Sequence, residues 1–253
     1  MGKFDKILIC SDLDGTLRNS NALISDENIK AINYFKENGG LFTLCTGRNH
    51  QYAEDLKKEG LEVNTVLVTL NGAAIYDPSK GKLVYENFMD KTRLNDIKNF
   101  VCQNSDFLSE ITIHSDIPYK NFSDLPEESN LYKIVFKTKS SDYTHMVKEK
   151  LKNIFGDENY FITTSWPEGI EILDKKSTKG ECVKIIRNQI HKDLKKIICV
   201  GDYENDISML LEADISYAVE NAIPEVKKAA DYVTVSNDKH AVARIIEETE
   251  QKL

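Results

Sequence analysis

Residues 7–16 read ILICSDLDGT, and this stretch decides how the first part of the chain folds. The apolar run at 7–10 is short and continuous, which predicts a buried β-strand. Two aspartates, Asp12 and Asp14, follow with one residue between them. A strand that ends on two carboxylates gains nothing by pairing them with each other, because like charges repel. Their partners must therefore come from other parts of the chain.

Similar short apolar or β-branched runs recur along the chain, with helical patterns between them. The expected strands are residues 7–10, 41–45, 66–70, 197–200, 215–219 and 232–235. Continuous apolarity is typical of parallel strands that are buried on both faces. The expected helices include one with Ser25 as its N-cap and Gly39-Gly40 at its end, and others that begin near Asn205, Pro224 and Asp238. This alternation predicts an α/β fold with a doubly wound, Rossmann-like parallel sheet.

The middle of the chain has a different pattern. Helical periodicity near 91–105 and 140–155 alternates with paired strand-like runs, SEITIHS then YKIVFKT, and YFITTSW then GIEILD. Strand pairs without a helix between them indicate an antiparallel sheet with helices on one face. We therefore expect residues 83–177 to form an inserted α+β cap domain, entered near 78–82 and left near 175–178. Residues 1–82 and 178–253 would form the core.

Composition and charge exclude several classes of protein. The chain has 253 residues and a net charge of −8, so no basic block is present to bind nucleic acid or an anionic membrane. The N-terminal residues do not resemble a signal peptide, and no apolar run approaches the length of a membrane span. The five cysteines show no CxxC spacing, and Cys10, Cys45 and Cys199 lie in strand-like runs as reduced thiols. We expect a cytoplasmic protein that is a monomer or a weak homodimer.

Polar clusters follow three of the expected core strands. They are Asp12 to Thr16, Thr46-Gly47-Arg48, and Gly201 to Asp206. Ligands of open α/β sheets bind outside the carboxyl ends of the strands, so these clusters should converge on one site. Four aspartates in one pocket would repel each other by several kcal/mol, about 4 for a pair at an effective dielectric constant near 20. A divalent cation relieves this repulsion, and an all-oxygen ligand set favours Mg²⁺.

Lys179 would bring a fixed positive charge to the site. It lies in Thr178-Lys179-Gly180-Glu181, which has the T-x-x-E pattern of a capping box, so it should be the first residue of a helix. An ammonium at this position opposes the helix dipole. The conflict indicates that the charge is needed there for another reason.

These residues together resemble the haloacid dehalogenase superfamily. Its signature is DxDGT after the first strand, Thr-Gly-Arg after the second, a lone lysine and then GDxxND, and all four appear here in order. The insert, preceded by Asn71-Gly72-Ala73, resembles the cap of the Cof-like, type IIB branch. The insert is short for that branch and lacks the extra αβαβ portion of longer caps, which leaves a smaller lid.

The resemblance implies a role for each matching residue. Asp12 would be the nucleophile that forms an aspartyl phosphate, and Asp14 the general acid and base. The metal ligands would be Asp12, Asp202, Asp206 in or next to the shell, and Asp14 through its backbone carbonyl. The phosphoryl group would be bound by Thr46, Lys179, Asn205 and the amides of Leu13 and Gly47.

Other polar and aromatic residues have simpler interpretations. We expect Arg48 to pair with a neighbouring carboxylate, and Asn71 and Asn221 either to contact substrate or to form left-handed turns. His114 and the aromatic residues of the insert are more typical of packing. Weaker candidates for substrate contacts are Trp166, Glu168 and Glu171.

The function expected from the resemblance is a Mg²⁺-dependent phosphatase acting on a small phosphorylated metabolite, with a sugar phosphate as the first choice. Phosphoglycolate-like acids and phosphorylated cofactors such as pyridoxal phosphate stay open. One alternative is a phosphomutase, which would use the same aspartyl phosphate. Another is a non-enzymatic protein that binds phosphorylated metabolites, although binding alone does not require the acid–base residue Asp14.

Overall fold

The computed structural model describes residues 2–253, apart from the side chains at positions 157 and 158. The chain divides into two compact units. The core unit comprises the residues up to Tyr85 together with Lys179–Leu253, and the insert unit comprises Glu86–Thr178. The sequence predicted the first division after residue 82 and the second after residue 177, which is three residues and one residue earlier than in the structure.

The strands and helices are as follows in chain order. The strands are β1 (Ile7–Ser11), β2 (Leu41–Leu44), β3 (Leu67–Thr69), β4 (Ala74–Asp77), β5 (Lys82–Glu86), β6 (Leu108–His114), β7 (Pro118–Tyr119), β8 (Lys133–Thr138), β9 (Tyr160–Trp166), β10 (Gly169–Asp174), β11 (Lys196–Gly201), β12 (Ile215–Ala218) and β13 (Tyr232–Val233). The α-helices are α1 (Asp26–Glu37), α2 (Tyr52–Lys58), α3 (Leu94–Gln103), α4 (Ser141–Asn159), α5 (Lys179–Ile185), α6 (Ile207–Leu210), α7 (Pro224–Ala229) and α8 (Ala241–Gln251).

The core unit is built on a parallel sheet in the strand order β13-β12-β11-β1-β2. β1 lies between β11 and β2, with Ile9 beside Ile198 on one side and beside Phe42 on the other. A parallel bridge between Cys45 and Val68 brings β3 next to β2. Every residue of β1 is buried, as a continuous apolar run in a parallel sheet requires. The expected parallel α/β core is confirmed.

Helix α1 shows how the core helices are positioned. The Ser25 hydroxyl accepts a hydrogen bond from the N–H of Asn28, which confirms Ser25 as the N-cap. Ile32 and Phe35 of α1 are fully buried in the hydrophobic core of this unit. The Ser25 hydroxyl also lies 2.9 Å from Nδ1 of His240, the residue that precedes α8. The contact ties the starts of these two helices together.

The segment near residues 78–82 was expected to be a linker, and this prediction is wrong. Residues 78–81 connect β4 to β5, which lie beside β3 in a three-stranded sheet of the core unit. Pro78 and Gly81 are typical turn residues, so the same composition suits a hairpin as well as a linker. β3 is also shorter than expected, because Leu70 has a φ of +52° and cannot continue a strand.

The insert unit contains an antiparallel sheet in the order β7-β6-β8-β10-β9. One face packs against both helices, since Phe100 of α3 and Leu151 of α4 share a hydrophobic core with Phe136 and Ile172. Four of the five strands were expected from the sequence, and only the two-residue strand β7 was not. The α+β organisation of this unit is confirmed.

One helix begins later than the sequence indicated, and another opens with a turn of a different helical type. The helix expected near Asp238 begins at Ala241, because His240 has a φ of +59° and interrupts the turn that precedes it. The helix expected near Asn205 opens with a short 3₁₀ turn and continues as α6.

Within residues 2–253, no helix combines the length and the apolar composition needed to cross a bilayer. All five cysteines are free, and four of them are buried.

Candidate active site

Three neighbouring strands of the core sheet end at the same level. Ser11, the last residue of β1, lies beside Leu44 of β2 and beside Val200 of β11. The N–H of Asp12 still bonds to the carbonyl oxygen of Val200, at 2.9 Å. The polar residues that follow these strands are therefore delivered to one edge of the sheet, as the parallel arrangement predicts.

Three carboxylates meet at this edge. Asp12, Asp202 and Asp206 are buried, and each offers an oxygen that lies within 4.8 Å of the others. Asp206 is held by the backbone, because its Oδ2 accepts hydrogen bonds from the N–H groups of Asp202 (2.9 Å) and Tyr203 (3.1 Å). The backbone of its own loop thus holds Asp206 in place.

Lys179 connects two of these carboxylates. Its Nζ lies 2.6 Å from Oδ1 of Asp12 and 2.6 Å from Oδ1 of Asp206, and the lysine is fully buried. Lys179 is the first residue of α5, as the sequence predicted. Burial disfavours the ammonium, but the attraction of both carboxylates outweighs it and raises the pKa of Lys179. The reason for a lysine at this helix start is its place in the cluster.

The charges of the cluster do not balance. Three carboxylates face one ammonium, which leaves a net charge of −2 if all four groups are ionised. Burial, together with the neighbouring carboxylates, raises the pKa of Asp12 well above its usual range and the pKa of Asp202 to about 7. One divalent cation would balance the cluster. Three carboxylate oxygens are a ligand set that suits Mg²⁺, so these residues fit the ion.

The turn after β1 fits closely against Asp202. Gly15 has a φ of +90°, and a Cβ at this position would lie 2.4 Å from Oδ2 of Asp202, so only glycine is accommodated. The Thr16 hydroxyl donates to Oδ1 of Asp202 at 2.7 Å. Asn221 donates from its side chain to the carbonyl oxygen of Gly15 at 2.8 Å, which gives it a structural contact. Gly15 and Thr16 thus position Asp202.

Asp14 does not join the carboxylate cluster. The sequence predicted four aspartates in one pocket, and the structure brings together three. The Asp14 carboxylate instead bonds to Arg48, with Nε at 2.8 Å and Nη2 at 2.9 Å, and Nη1 of Arg18 is 3.4 Å away. Its side chain is 48% exposed. Two guanidinium groups provide the positive charge that the cluster would not, which is the physical reason for this orientation.

The arginines belong to a network that the sequence did not indicate. Arg48 was expected to pair with a neighbouring carboxylate, which is confirmed, and its guanidinium also lies 4.5 Å from the centre of the Tyr52 ring. Arg18 is buried and bonds to the Tyr52 hydroxyl and to Glu59. Burial and the hydrogen bond to Glu59 raise the pKa of Tyr52 to about 12. Only the spacing of four residues between Asp14 and Arg18 hinted at this contact.

Apart from Lys179 at the start of α5, the expected phosphoryl ligands follow the ends of β1, β2 and β11. Thr46 is buried, and its hydroxyl accepts a hydrogen bond from the N–H of Arg48 at 3.2 Å. Asn205 is buried and donates from Nδ2 to Oδ1 of Asn71 at 3.0 Å. Leu13 is buried, with its carbonyl oxygen bonded to the N–H of Arg18. Asn71 itself has a φ of +56°, so it does form the left-handed turn that was one of its two interpretations.

The candidate residues of the insert unit have contacts of their own. Glu171 is buried, with Oε2 at 2.7 Å from Nζ of Lys133 and Oε1 at 2.7 Å from the Ser165 hydroxyl. The Trp166 ring lies against Gly169, where a Cβ would be 2.2 Å from the indole. His114 is half-buried, and burial together with the ammonium of Lys133 lowers its pKa to about 3. Glu171 and Trp166 therefore take part in the packing of the sheet.

The comparisons with known proteins agree with the motifs and with the fold. A sequence model of the haloacid dehalogenase-like hydrolase family matches residues 9–121 and 103–246. The chain belongs to this family. The Cof-like resemblance is confirmed at the same time, since the match includes both the core motifs and the insert.

Two curated relatives from Bacillus subtilis cover nearly the whole chain. The 5-amino-6-(5-phospho-D-ribitylamino)uracil phosphatase YcsE is 30% identical, with 94% of this chain and 94% of that protein covered. The phosphatase YwpJ is 27% identical, with 94% and 98% covered. A solved haloacid dehalogenase-like hydrolase from B. subtilis has a TM-score of 0.83 at 24% identity, with 95% and 98% covered. The protein is a haloacid dehalogenase-type phosphatase, that is, a phosphoric monoester hydrolase.

Proposed function

We propose that this phosphatase depends on Mg²⁺ and cleaves a small phosphorylated metabolite through an aspartyl phosphate on Asp12. The observation that carries the proposal is the buried cluster in which Asp12 lies beside Lys179 and two further carboxylates, an arrangement of three acidic oxygens that a divalent cation would stabilise in their ionised form. A carboxylate that is rigidly held and buried beside a cation site is suited to attack phosphorus.

The metal would be held by Asp12, Asp202 and Asp206, with the backbone carbonyl of Asp14 as a further ligand. When bound, Mg²⁺ supplies the positive charge that lets a phosphate dianion approach these carboxylates. Asp206 already accepts hydrogen bonds on both oxygens, from Lys179 on Oδ1 and from the N–H groups of Asp202 and Tyr203 on Oδ2, so it would lie in or next to the metal shell.

The chemical steps use the side chains of this chain as follows. An oxygen of Asp12 attacks phosphorus, and the bond from phosphorus to the leaving oxygen breaks. Asp14 gives its proton to the leaving alkoxide, then takes a proton from the water that attacks the aspartyl phosphate. This second attack releases phosphate and restores the Asp12 carboxylate. To act as an acid, Asp14 has to take up a proton and leave the guanidinium of Arg48.

The phosphoryl oxygens would be bound by groups that follow β1, β2 and β11 and by the first residue of α5. These are the Thr46 hydroxyl, the Lys179 ammonium, the Asn205 side chain and the amides of Leu13 and Gly47. Such donors act mainly by electrostatics, because phosphoryl transfer proceeds through a loose transition state with charge on the equatorial oxygens. Lys179 would serve both Asp12 and the phosphoryl group.

We propose a sugar phosphate as the substrate class, acted on in the cytoplasm. The free state of all five cysteines supports a reducing compartment. The name of the relative YcsE describes a phosphate on a ribityl chain, which is a polyol phosphate and belongs in the same panel of substrates. A phosphomutase would use the same residues, but it would depend on a bisphosphate activator.

A phosphate-release screen with and without Mg²⁺ tests the proposal. The panel should include hexose and pentose phosphates, a ribityl phosphate, phosphoglycolate, pyridoxal phosphate and an aryl phosphate. We expect turnover of at least one polyol or sugar phosphate with Mg²⁺ and its loss with a chelator. Transfer of phosphate to a second sugar hydroxyl instead of water would identify a mutase.

Asp12→Asn is the matched control for the screen. We expect it to abolish turnover of every substrate, because an amide is too weak a nucleophile to attack phosphorus. The variant should fold normally, since it removes one negative charge from a crowded cluster. Hydrolysis of the aryl phosphate by this variant near the wild-type rate would contradict the assignment of Asp12.

A further inference from the structure

The turn between β3 and β4 has an unusual backbone. Three consecutive residues have positive φ angles, Leu70 at +52°, Asn71 at +56° and Gly72 at +99°. All three are buried. A left-handed conformation is unfavourable for leucine, and such conformations persist only where the surrounding structure holds them, often at functional sites.

This turn binds the backbone of the loop that follows β2. The N–H of Leu70 donates to the carbonyl oxygen of Arg48, and the N–H of Asn71 donates to that of Thr46, both at 2.9 Å. The two bonds flank Gly47, whose amide is one of the proposed phosphoryl ligands. The left-handed turn therefore fixes the shape of a loop that is needed for phosphoryl binding.

The side chain of Asn71 lies between this loop and Asn205. Its Oδ1 accepts a hydrogen bond from Nδ2 of Asn205 at 3.0 Å. On the other side, a Cβ at Gly47 would lie 3.2 Å from Nδ2 of Asn71, so the amide packs closely against the glycine. Asn71 is 1% exposed. It contacts both neighbours, although it is not one of the expected phosphoryl ligands.

Asn205 has a buried oxygen without a hydrogen-bond partner. Among the residues that the structure describes, its Oδ1 is one of three buried side-chain polar atoms that lack one. A buried acceptor in this state is unfavourable. An unprotonated phosphoryl oxygen, as in the dianion of a phosphate ester, would not satisfy it, because such an oxygen accepts hydrogen bonds and does not donate them. While Asn71 accepts from Nδ2 of Asn205, the Asn205 oxygen is left without a partner. The NH₂ group, which could donate to a phosphoryl oxygen, is already used.

We propose that Asn71 is a positioning residue that sets the orientation of the Asn205 amide for phosphoryl binding. When a phosphoryl group is bound, both amides turn by half a rotation. Asn71 then donates from Nδ2 to Oδ1 of Asn205. The rotation also places Nδ2 of Asn205 at the position that its Oδ1 had occupied, and from there Nδ2 donates to the phosphoryl group. The inference rests on the proposed function, because it assigns Asn205 to the phosphoryl site.

The chemistry of the side chain explains why position 71 carries asparagine. The two ends of an amide have nearly the same shape, and one accepts while the other donates, so the pair can exchange roles without moving the backbone. A carboxylate at position 71 could only accept. Asparagine also tolerates the left-handed backbone that the turn requires.

Binding of inorganic phosphate, measured by calorimetry with Mg²⁺ present, tests the inference apart from turnover. Asn71→Gly removes the side-chain amide, and glycine adopts the positive φ. We expect this variant to weaken phosphate binding about tenfold, because Asn205 loses the hydrogen bond that orients it toward the charged ligand. Asn71→Asp should weaken it further, by roughly a hundredfold, because the carboxylate fixes Asn205 with its oxygen toward the anion.

The same substitutions in an Asn205→Ala background provide the control. There we expect Asn71→Gly to change phosphate binding less than about twofold, since no amide remains to be oriented. Any loss caused by Asn71→Asp in this background measures the effect of the added charge alone. Thermal unfolding of each variant reports separately on damage to the turn.

Two results would overturn the inference. One is that Asn71→Gly weakens phosphate binding by the same factor in both backgrounds. The other is that Asn71→Asp binds phosphate as well as the wild type, which would show that Asn205 binds with its NH₂ group still on residue 71. A wild-type protein that neither binds nor releases phosphate would instead contradict the proposed function.

Discussion

The carboxylates of Asp12 and Asp14 are one residue apart in the sequence, but their environments are opposite. Asp12 is buried beside Lys179 and two other carboxylates, whereas Asp14 is half exposed and bonds to Arg48. Residues two positions apart in a regular strand would share a face, but the chain leaves the strand at Asp12 and turns at Gly15. A single turn therefore gives two equal side chains different chemistry.

We expect the effect of Asp14→Ala to depend on the leaving group. An alkyl sugar phosphate needs a proton on its leaving oxygen, and loss of a general acid typically lowers the rate by about 10²–10⁴-fold. An aryl phosphate leaves as a more stable anion, so its kcat/KM should fall at least about tenfold less. The measurement is kcat/KM for both substrates, with Asp12→Asn inactive on each. Equal losses on both substrates would place Asp14 in dephosphorylation or metal placement.

The antiparallel sheet of the insert unit contains a buried ion pair. Lys133 of β8 and Glu171 of β10 have side chains only 4% and 2% exposed, and their atoms lie 2.7 Å apart. Such a pair does not by itself favour stability, because desolvation offsets the attraction, but removal of one partner is costly. His114 of β6 lies beside Lys133 in the sheet. The Lys133 ammonium therefore interacts electrostatically with a side chain on each of the two neighbouring strands.

The lowered pKa of His114 makes the stability of the insert unit depend on pH. Its pKa is about 3 in the folded protein, against an ordinary value of 6.5, so folding favours the neutral ring. This contribution is present in full above pH 6.5 and is lost as the pH falls toward 3, because the unfolded chain then binds the extra proton. Between pH 7 and pH 5 the loss should reach about 2 kcal/mol.

Urea unfolding of His114→Gln at several pH values checks this prediction. The difference in unfolding free energy between wild type and variant should shrink by about 2 kcal/mol from pH 7 to pH 5. His145 of α4 is exposed, and His145→Gln is the control for replacing a histidine elsewhere in the insert unit. A constant difference between wild type and His114→Gln across this range would show that His114 does not titrate as described.

At the scale of the whole molecule, each unit has a hydrophobic core of its own. All residues assigned to the phosphoryl chemistry lie in the core unit or at the first residue after the insert. We therefore propose that the insert acts on specificity, by contacts with the part of the substrate beyond the phosphate. Such remote contacts can still raise kcat/KM for a preferred substrate, because they help to position the reacting group.

Substitutions in the insert should therefore change the ranking of substrates. We expect Glu168→Gln or Trp166→Phe to alter relative kcat/KM among sugar phosphates by much more than turnover of a small aryl phosphate. Glu171 is less suitable for this test, since its burial beside Lys133 means that substitution would also destabilise the sheet. Lys179→Ala is the control, and it should lose activity on every substrate. If the insert variants lower kcat/KM by the same factor for all substrates, the insert does not determine specificity.

Much of the fold was predictable because its signals are local. A continuous apolar run such as that of β1, or a helix start such as Ser25, depends on a few neighbouring residues. The hairpin of β4 and β5 was missed, because a turn with Pro78 and Gly81 has the same composition as a linker. Only the pairing of β4 with β3 distinguishes the two cases.

The sequence by itself determined the parallel core, the antiparallel insert and the edge of the sheet at which the polar residues gather. It could do so because the period of the apolar residues sets the element type, and the ends of parallel strands share one edge. It also specified the family, since four motifs in a fixed order rarely occur together without their common site.

Only the tertiary structure decided which side chains meet at that edge. The bonds from Arg48 to Asp14, from Asn205 to Asn71 and from Lys179 to Asp12 join residues 34 to 167 positions apart. Their partners depend on the direction of each side chain at the end of its strand, and a single left-handed residue changes that direction. No periodicity of the sequence contains this information, because it arises from contacts between loops that folding brings together.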